Sequence, residues 1–339
     1  MKKGLVILLM VSLCICSVFA NAQEEAATET DGFQTLSIKF GTASQENTLL
    51  VQTVKAWAEK VNDATDGNIT ITCYAGSVLG SSLEMLQSSQ LGALDSCVVQ
   101  PSACADLGAK EMGVLSFPYI FRDYDQYWNV LTGEVGNDLL DKVTEKESTK
   151  LVGFGFYPDG ARSFFTTEKH PIRSLEDIKD MKIRIQSYAI DSDMAKALGF
   201  AATPTAFSEV YSALQAGVVD GAEGPLSTVN GSKFYEVTKY LTLDEHTYNI
   251  PTIVFSAKNW AKYNDETKKI LKDSWIEAIT EARPQIVNGG EEFKKFFAEQ
   301  GMEIIELNDH DKWVEAMDPL YAKYGAGLEE WIQRIQKTE

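Results

Sequence analysis

From Leu36 onward the chain alternates between apolar runs of period two and runs of helical period, and that alternation confines it to an α/β layer fold. Leu36, Ile38 and Phe40 alternate with Ser37 and Lys39, which predicts a first strand ending at Gly41. Leu50, Val54, Trp57, Ala58 and Val61 then recur at helical spacing, with Gly67 beyond them as a stop. Residues 68–74 are rich in β-branched side chains and predict a strand. Ser81 followed by Glu84 forms a capping box at the start of a helix carrying Leu86 and Leu91, and a third strand is expected over 94–99. The order is βαβαβ.

After Lys150 the pattern restarts. An apolar and aromatic run over 151–157 precedes the turn Pro158-Asp159-Gly160, and Ser174 with Asp177 marks a capped helix before the alternating strand Lys182-Ile183-Arg184-Ile185. Helices are expected over 191–198 and 208–215, the second stopped by Gly217. Val218-Val219-Asp220 reads as a strand entering a tight glycine-rich turn, Asp220-Gly221-Ala222-Glu223-Gly224-Pro225. A long helical stretch over 266–299 is interrupted by Pro284 and Gly289-Gly290 and can cross between lobes.

The N-terminus sets the compartment. Lys2 and Lys3 precede an apolar run from Leu5 to Phe19 that ends in Ala20-Asn21-Ala22, shorter than the roughly 20 residues of a spanning helix. This is a signal peptide over 1–22, cleaved before Gln23, so the mature protein is expected in the periplasm. Lipid modification at Cys14 or Cys16 is the competing reading, opposed by the bulky neighbours Leu13 and Ile15. An acidic spacer over 23–34 follows. Without Lys2 and Lys3, 29 basic residues face 49 acidic ones, a net charge near −20 that excludes nucleic acid and anionic membrane as partners. The rest of the 339-residue chain exceeds the usual size of a single core, so two lobes are expected. Of the mature cysteines, Cys73, Cys97 and Cys104, two could pair and leave one buried thiol.

Catalytic signatures are missing. The three histidines, His170, His246 and His310, have no metal-ligand spacing, and there is no nucleophile elbow or phosphate loop; Gly153-Phe154-Gly155 follows a strand pattern but lacks a third glycine at the required offset. Neither an enzyme nor a cofactor is indicated. Polar groups gather between Asp159 and His246 at strand ends and helix starts, where an α/β lobe borders a crevice. Arg162 follows a turn, and Arg184 sits between Ile183 and Ile185. Such an arginine must reach water, a protein carboxylate or a ligand, and its planar fork matches an organic acid. An internal salt bridge and a ligand site both satisfy this pattern. Phe207 fits either core packing or a ligand platform, and Glu223 either accepts ligand hydroxyls or caps the next helix.

At these residues the chain resembles the substrate-binding subunits of tripartite ATP-independent periplasmic (TRAP) transporters, the dicarboxylate- and sialic-acid-binding family. The segments that carry the resemblance are Gly76-Ser77-Val78-Leu79-Gly80, Phe117-Pro118-Tyr119-Ile120-Phe121-Arg122, Lys182-Ile183-Arg184-Ile185, the run from Phe207 to Gly221, and Lys233-Phe234-Tyr235-Glu236-Val237. It implies a two-lobed periplasmic-binding-protein fold that closes on its ligand, with a long bent helix spanning both lobes. Lobe I is expected over 35–159 plus 250–288, and lobe II over 160–249 plus 289–339. The implied function is that of a monomeric solute receptor that binds a small organic acid, such as a sugar acid or C4-dicarboxylate, and hands it to the small and large TRAP membrane subunits. By the same resemblance Arg184 is the carboxylate-binding arginine, Arg162 a second one, Phe207 the pocket aromatic, and Gln100 a polar ligand residue of the first lobe. Gly224 replaces the asparagine many relatives carry, which leaves room for a bulkier ligand or passes a hydrogen bond to water or backbone. Ala103 stands where the sialic-acid subgroup has another arginine. A receptor that presents ligand to a sensor kinase would keep the same pocket, and a periplasmic enzyme on organic acids would need an acid/base pair in it.

Overall fold

Local sequence builds the first lobe element by element in the computed structural model, which describes residues 32–339. Strand β1 (Leu36–Gly41) buries Ile38 and Phe40 on one face. Helix α1 (Leu49–Ala64) starts where the Thr48 hydroxyl accepts from the Val51 amide, and it buries Val54, Trp57 and Val61. Strand β2 (Ile69–Tyr74) leads to α2 (Ser82–Leu91), whose capping box is closed: the Ser81 hydroxyl accepts from the Glu84 amide, and the Glu84 carboxylate accepts from the Ser81 amide at 2.7 Å. Strand β3 (Ser96–Val99), helices α3 (Pro101–Asp106), α4 (Tyr124–Thr132) and α5 (Glu134–Glu145) and strand β4 (Leu151–Phe156) complete this segment.

The chain then forms β5 (Ala161–Thr166), β6 (Lys182–Ile185), α6 (Ala189–Leu198), β7 (Ala201–Pro204), α7 (Val210–Gln215), β8 (Gly221–Pro225), α8 (Leu226–Gly231) and β9 (Tyr240–Tyr248). After β10 (Thr252–Ser256) and α9 (Ala257–Trp260) comes α10 (Asp265–Glu299), then β11 (Glu303–Glu306), α11 (His310–Glu315), α12 (Asp318–Tyr324) and α13 (Glu329–Lys337). One sheet has the order β2-β1-β3-β10-β4, with β1 parallel to β2 and β3 and β10 antiparallel to its neighbours; the other has the order β11-β9-β5-β8-β6-β7. The fold is therefore two-lobed α/β. Three connections join the sheets: β4 to β5, β9 to β10, and α10. The first half of α10 packs Leu271, Trp275 and Ile279 with α1 in the first core, and Phe297 enters the core beneath β8 and β9. Trp57 is central to the first core. Its ring lies 5.4 Å from Phe154 and 5.6 Å from Trp275, and its indole N–H donates to the Leu271 carbonyl at 3.0 Å, so a large apolar ring is buried with its one polar atom satisfied.

Four expectations need correction. The segment over 151–157 does not open a second unit: β4 pairs antiparallel with β10 and closes the first sheet. Only half of the Ser174–Asp177 box forms: the Asp177 carboxylate accepts the Ser174 amide at 2.9 Å, but the Asp177 amide donates to the Ser174 carbonyl rather than to its hydroxyl, and only turns follow, up to Asp180 with its left-handed backbone at φ 61°. Residues 221–225 are strand β8 inside the sheet, not a turn. Gly221 lies there because a Cβ would sit 2.8 Å from the Phe165 carbonyl and 2.6 Å from the Thr166 methyl. Helix α10 runs unbroken through Pro284 and Gly289-Gly290, held on both sides by tertiary packing that outweighs their poor propensity. Cys73, Cys97 and Cys104 are all unpaired. The signal peptide and most of the spacer lie outside the described residues; Gln34, at the spacer's end, is anchored by accepting the Asn264 amide at 2.6 Å.

Gly153-Phe154-Gly155 acquires a packing role. A Cβ at Gly153 would lie 2.3 Å from the Leu140 carbonyl oxygen, and one at Gly155 would lie 2.6 Å from the Trp275 indole nitrogen. Gly153→Ala is expected to lower stability by about 1–3 kcal/mol because backbone blocks it. Gly290→Ala, where the helix surface is open, should be neutral or stabilising by up to ~1 kcal/mol. Urea unfolding of both variants checks the pair.

Candidate functional site

The strand ends of both sheets meet at one crevice. The C-terminal ends of β1, β3, β6 and β8 and the start of β5 border a cavity of about 380 Å³, the location expected for a ligand site in an α/β fold. All six residues singled out from the sequence line it: Gln100 from the first lobe, and Arg162, Arg184, Phe207, Glu223 and Gly224 from the second. Ala103 lines it as well. A wider depression of about 630 Å³ adjoins it at Phe207 and Ser208, but its charged lining includes the exposed pair Lys55 and Glu46 rather than buried groups.

The two arginines differ in their partners. Arg162, 9% exposed, donates through Nε to Glu223 Oε2 at 2.6 Å and through Nη1 to Asn249 Oδ1 at 2.7 Å. Asn249 Oδ1 also accepts from Gln100 Nε2 at 3.2 Å, and its amide donates to Asp159 Oδ2 at 2.9 Å. Asp159 in turn accepts from the Ser227 hydroxyl at 2.7 Å. Arg162 thus has the internal salt bridge. Arg184, 5% exposed between two fully buried isoleucines, has none: its Nε and Nη2 both donate to the Thr205 carbonyl, at 3.1 and 2.8 Å, and no carboxylate lies within ion-pair distance among the described residues. Burial lowers its pKa to about 10, partly offset by Glu223, so it remains charged at neutral pH.

Behind Glu223 lies a buried group that sequence reasoning missed. Pairing of β5 with β9 shifts register between Arg162 and Phe164, and in that irregularity Asp244 Oδ1 accepts the Phe164 amide at 3.1 Å in place of a strand carbonyl. Asp244 Oδ2 lies 2.6 Å from His246 Nδ1, while His246 Nε2 sits 3.6 Å from Glu223 Oε2, inside ion-pair range but too long for a hydrogen bond. Burial opposes a charge on His246, yet Asp244 and Glu223 together raise its pKa to about 9. Burial would also raise Glu223, but Arg162 first, then His246 and Arg184, hold it near 2. Asp191, in the first turn of α6, has an enclosed Oδ2 with no partner, and burial followed by the charge of Glu223 raises it to about 7. The only advance signal for this group was the alternation of Asp244 and His246, which puts both side chains on one face of a strand.

The family model for bacterial extracellular solute-binding proteins, family 7, matches residues 40–327. The sialic acid-binding periplasmic protein of Vibrio cholerae is 28% identical over 319 residues, covering 94% of this chain and 95% of that protein. Among solved structures, a TRAP periplasmic solute-binding protein from Pseudomonas putida F1 with bound D-glucuronate superimposes with a TM-score of 0.84 at 31% identity, covering 90% of this chain and 98% of its own. Another from Sulfurospirillum deleyianum, with bound succinate, gives 0.82 at 30% identity, covering 90% and 100%.

The buried histidine fixes a pH dependence. Its folded-state pKa is raised from the ordinary 6.5, so its stabilisation is complete below pH 6.5 and disappears as pH rises through about 9. The difference is on the order of 3 kcal/mol. Asp191 weakens the folded state over a lower window, from its ordinary 3.8 up to about 7. The melting temperature of the wild type is therefore expected to fall from about pH 7.5 to about pH 9.5, and that of His246→Gln to start lower and stay flat. Circular-dichroism melts across that range decide it; an equal slope in both proteins assigns the loss to another group.

Proposed function

This chain belongs to the bacterial extracellular solute-binding proteins of family 7, and from that membership we propose that it captures a small organic acid on Arg184 and delivers it to a TRAP-type, ion-gradient-driven membrane permease. It is a receptor rather than an enzyme. The observation that carries the proposal is the charge state of the crevice: Arg184 is buried, cationic and without a counter-ion, an arrangement that costs several kcal/mol unless an anion arrives. A carboxylate supplies that anion with geometry matched to the guanidinium fork.

In this reading Arg162, held by Glu223 and Asn249, stands beside the ligand as a fixed donor wall. Phe207 covers an apolar face of the ligand, Gln100 reaches it from the first lobe, and Glu223 accepts from its hydroxyls through whatever lone pairs Arg162 leaves open. Lobe I is residues 35–159 with 250–288, and lobe II is 160–249 with 289–339. The last helix of lobe II, α13, reaches back to lobe I, where Arg334 pairs with Asp138 and the Gln126 side-chain amide donates to the Ile335 carbonyl. The connections at 157–160 and 249–251 bend as the lobes close. Closure is a population shift driven by contacts available only in the shut form. Export by the N-terminal signal sequence puts this cycle in the periplasm, where a small and a large membrane subunit receive the ligand. Relatives that hold D-glucuronate and succinate support an organic acid as the cargo.

Removing one partner of a buried charge pair costs about 2–5 kcal/mol, so Arg184→Ala should weaken acid binding roughly 30-fold to several-thousand-fold. Isothermal titration with the acid that gives the largest thermal shift in a screen of organic acids measures this. Unchanged affinity in the variant would remove Arg184 from the site.

A further inference from the structure

The cavity's inventory of charge and space narrows the acid it accepts, provided Arg184 is the carboxylate anchor proposed above. Its lining holds two cations, Arg162 and Arg184, and one anion, Glu223. Arg162 is already bound to Glu223 at 2.6 Å, which leaves one open guanidinium. The first-lobe side presents Thr42, Ser44, Ser77, Ser81, Ser82 and Gln100, all neutral and able both to donate and to accept. Among the described residues lining that side there is no lysine, arginine or histidine. Two helix starts border that side. The positive pole of α2 is already taken by the Glu84 carboxylate, which accepts from the Ser81 amide at 2.7 Å and the Ser81 hydroxyl at 2.8 Å. The other start belongs to the six-residue α3, whose N-cap Gln100 makes no cap bond and donates its side-chain amide to Asn249. A second ligand carboxylate pointing this way would lose its hydration and meet no cation. Ligand hydroxyls would find partners for both their protons and their lone pairs.

Space points the same way. Gly224 has an ordinary backbone, and an added Cβ would make only normal contacts, 3.6 Å to the Phe165 ring and 3.9 Å to the Thr228 methyl. Its neighbour Gly221 is demanded by packing; Gly224 is demanded neither by packing nor by conformation, although glycine weakens a strand relative to alanine. What its missing side chain does provide is room in the cavity it lines.

We infer that this receptor selects a polyhydroxylated monocarboxylic acid, a sugar acid, over C4-dicarboxylates, and that Gly224 is the position whose bare backbone makes room for the hydroxylated body. Specificity then comes from one cation for one carboxylate, a hydroxyl-matching wall, and the lack of a second free cation in the lining for a second negative charge.

The test is calorimetric titration of the purified mature protein at neutral pH with D-glucuronate, D-galacturonate, D-gluconate and D-erythronate, against succinate and butyrate. At least one sugar acid is expected to bind at least about thirtyfold tighter than both succinate, which adds a charge, and butyrate, which lacks the hydroxyls. The inference is overturned if no sugar acid exceeds succinate by that factor. Gly224→Asn should weaken the preferred sugar acid about tenfold or more, with Gly224→Ala within about threefold of wild type; a sugar-acid affinity unchanged in Gly224→Asn also overturns it. Circular-dichroism melts establish that both variants are folded. Arg184→Ala separates the two levels of argument. If it abolishes binding of a succinate-preferring protein, the anchor stands and the selectivity inference falls; if it leaves sugar-acid affinity intact, the anchor falls and the charge count with it.

Discussion

The second lobe depends on keeping a guanidinium charged where water is scarce. Arg184 is nearly inaccessible, its immediate strand neighbours are isoleucines, and its only acceptor among the described residues is one backbone carbonyl. Such a group is tolerable only if the surrounding potential is negative enough to hold the proton yet leaves no carboxylate close enough to pair. Glu223 meets both conditions. It raises the proton affinity of Arg184 from a distance while its own oxygens are occupied by Arg162 and faced by His246. The Asp244–His246–Glu223–Arg162 line therefore fixes where the negative charge sits: Asp244 orients the imidazole, the imidazolium stands behind the glutamate, and the glutamate is committed to one arginine and not the other.

The junction between lobes enters the same network. Asn249 follows β9 in the short return to β10, and its side-chain oxygen receives both Arg162 and Gln100 while its amide donates to Asp159 in the outgoing connection. Both short connections are thus joined by side chains whose partners come from the ligand crevice. In the proposed cycle a ligand that competes for Gln100 or Arg162 would alter the bonds made by the connections proposed to bend. On the proposed reading, ligand contact and lobe geometry would be linked through Asn249, with α10 as a third connection packed into both cores.

Much of this was legible in the sequence because its determinants are local. The capping box at Ser81 and Glu84, the alternation in β1 and β6, and the apolar stripe of α1 each lie within one element and obey its period. Strand β8 was misread because Gly221 and Gly224 look like turn residues, and the reason each is glycine lies elsewhere: the Phe165 backbone for one, an open cavity for the other. The continuity of α10 through Pro284 was hidden for a similar reason, since tertiary packing on α1 and β11 overrides local propensity. The Asn249 and His246 network had no sequence signal beyond an i, i+2 pair. Its members are separated by tens of residues and are brought together by a register shift that no local pattern announces.

That Arg162 and Arg184 have opposite fates follows from strand order. Both arginines border the same crevice and present the same local pattern of a basic residue beside apolar ones. Arg162 lies on β5, flanked by β9 and β8, and those two strands bring Asn249 just past one end and Glu223 across the other side. Arg184 lies on β6, flanked by β8 and β7, where its paired residues are Ala222 and Thr203 and neither offers a charge. Exchanging the positions of β5 and β6 in the sheet would pair the other arginine. The open cation is thus a property of topology, and the chain's many acidic residues leave it open because the fold delivers none of them to β7.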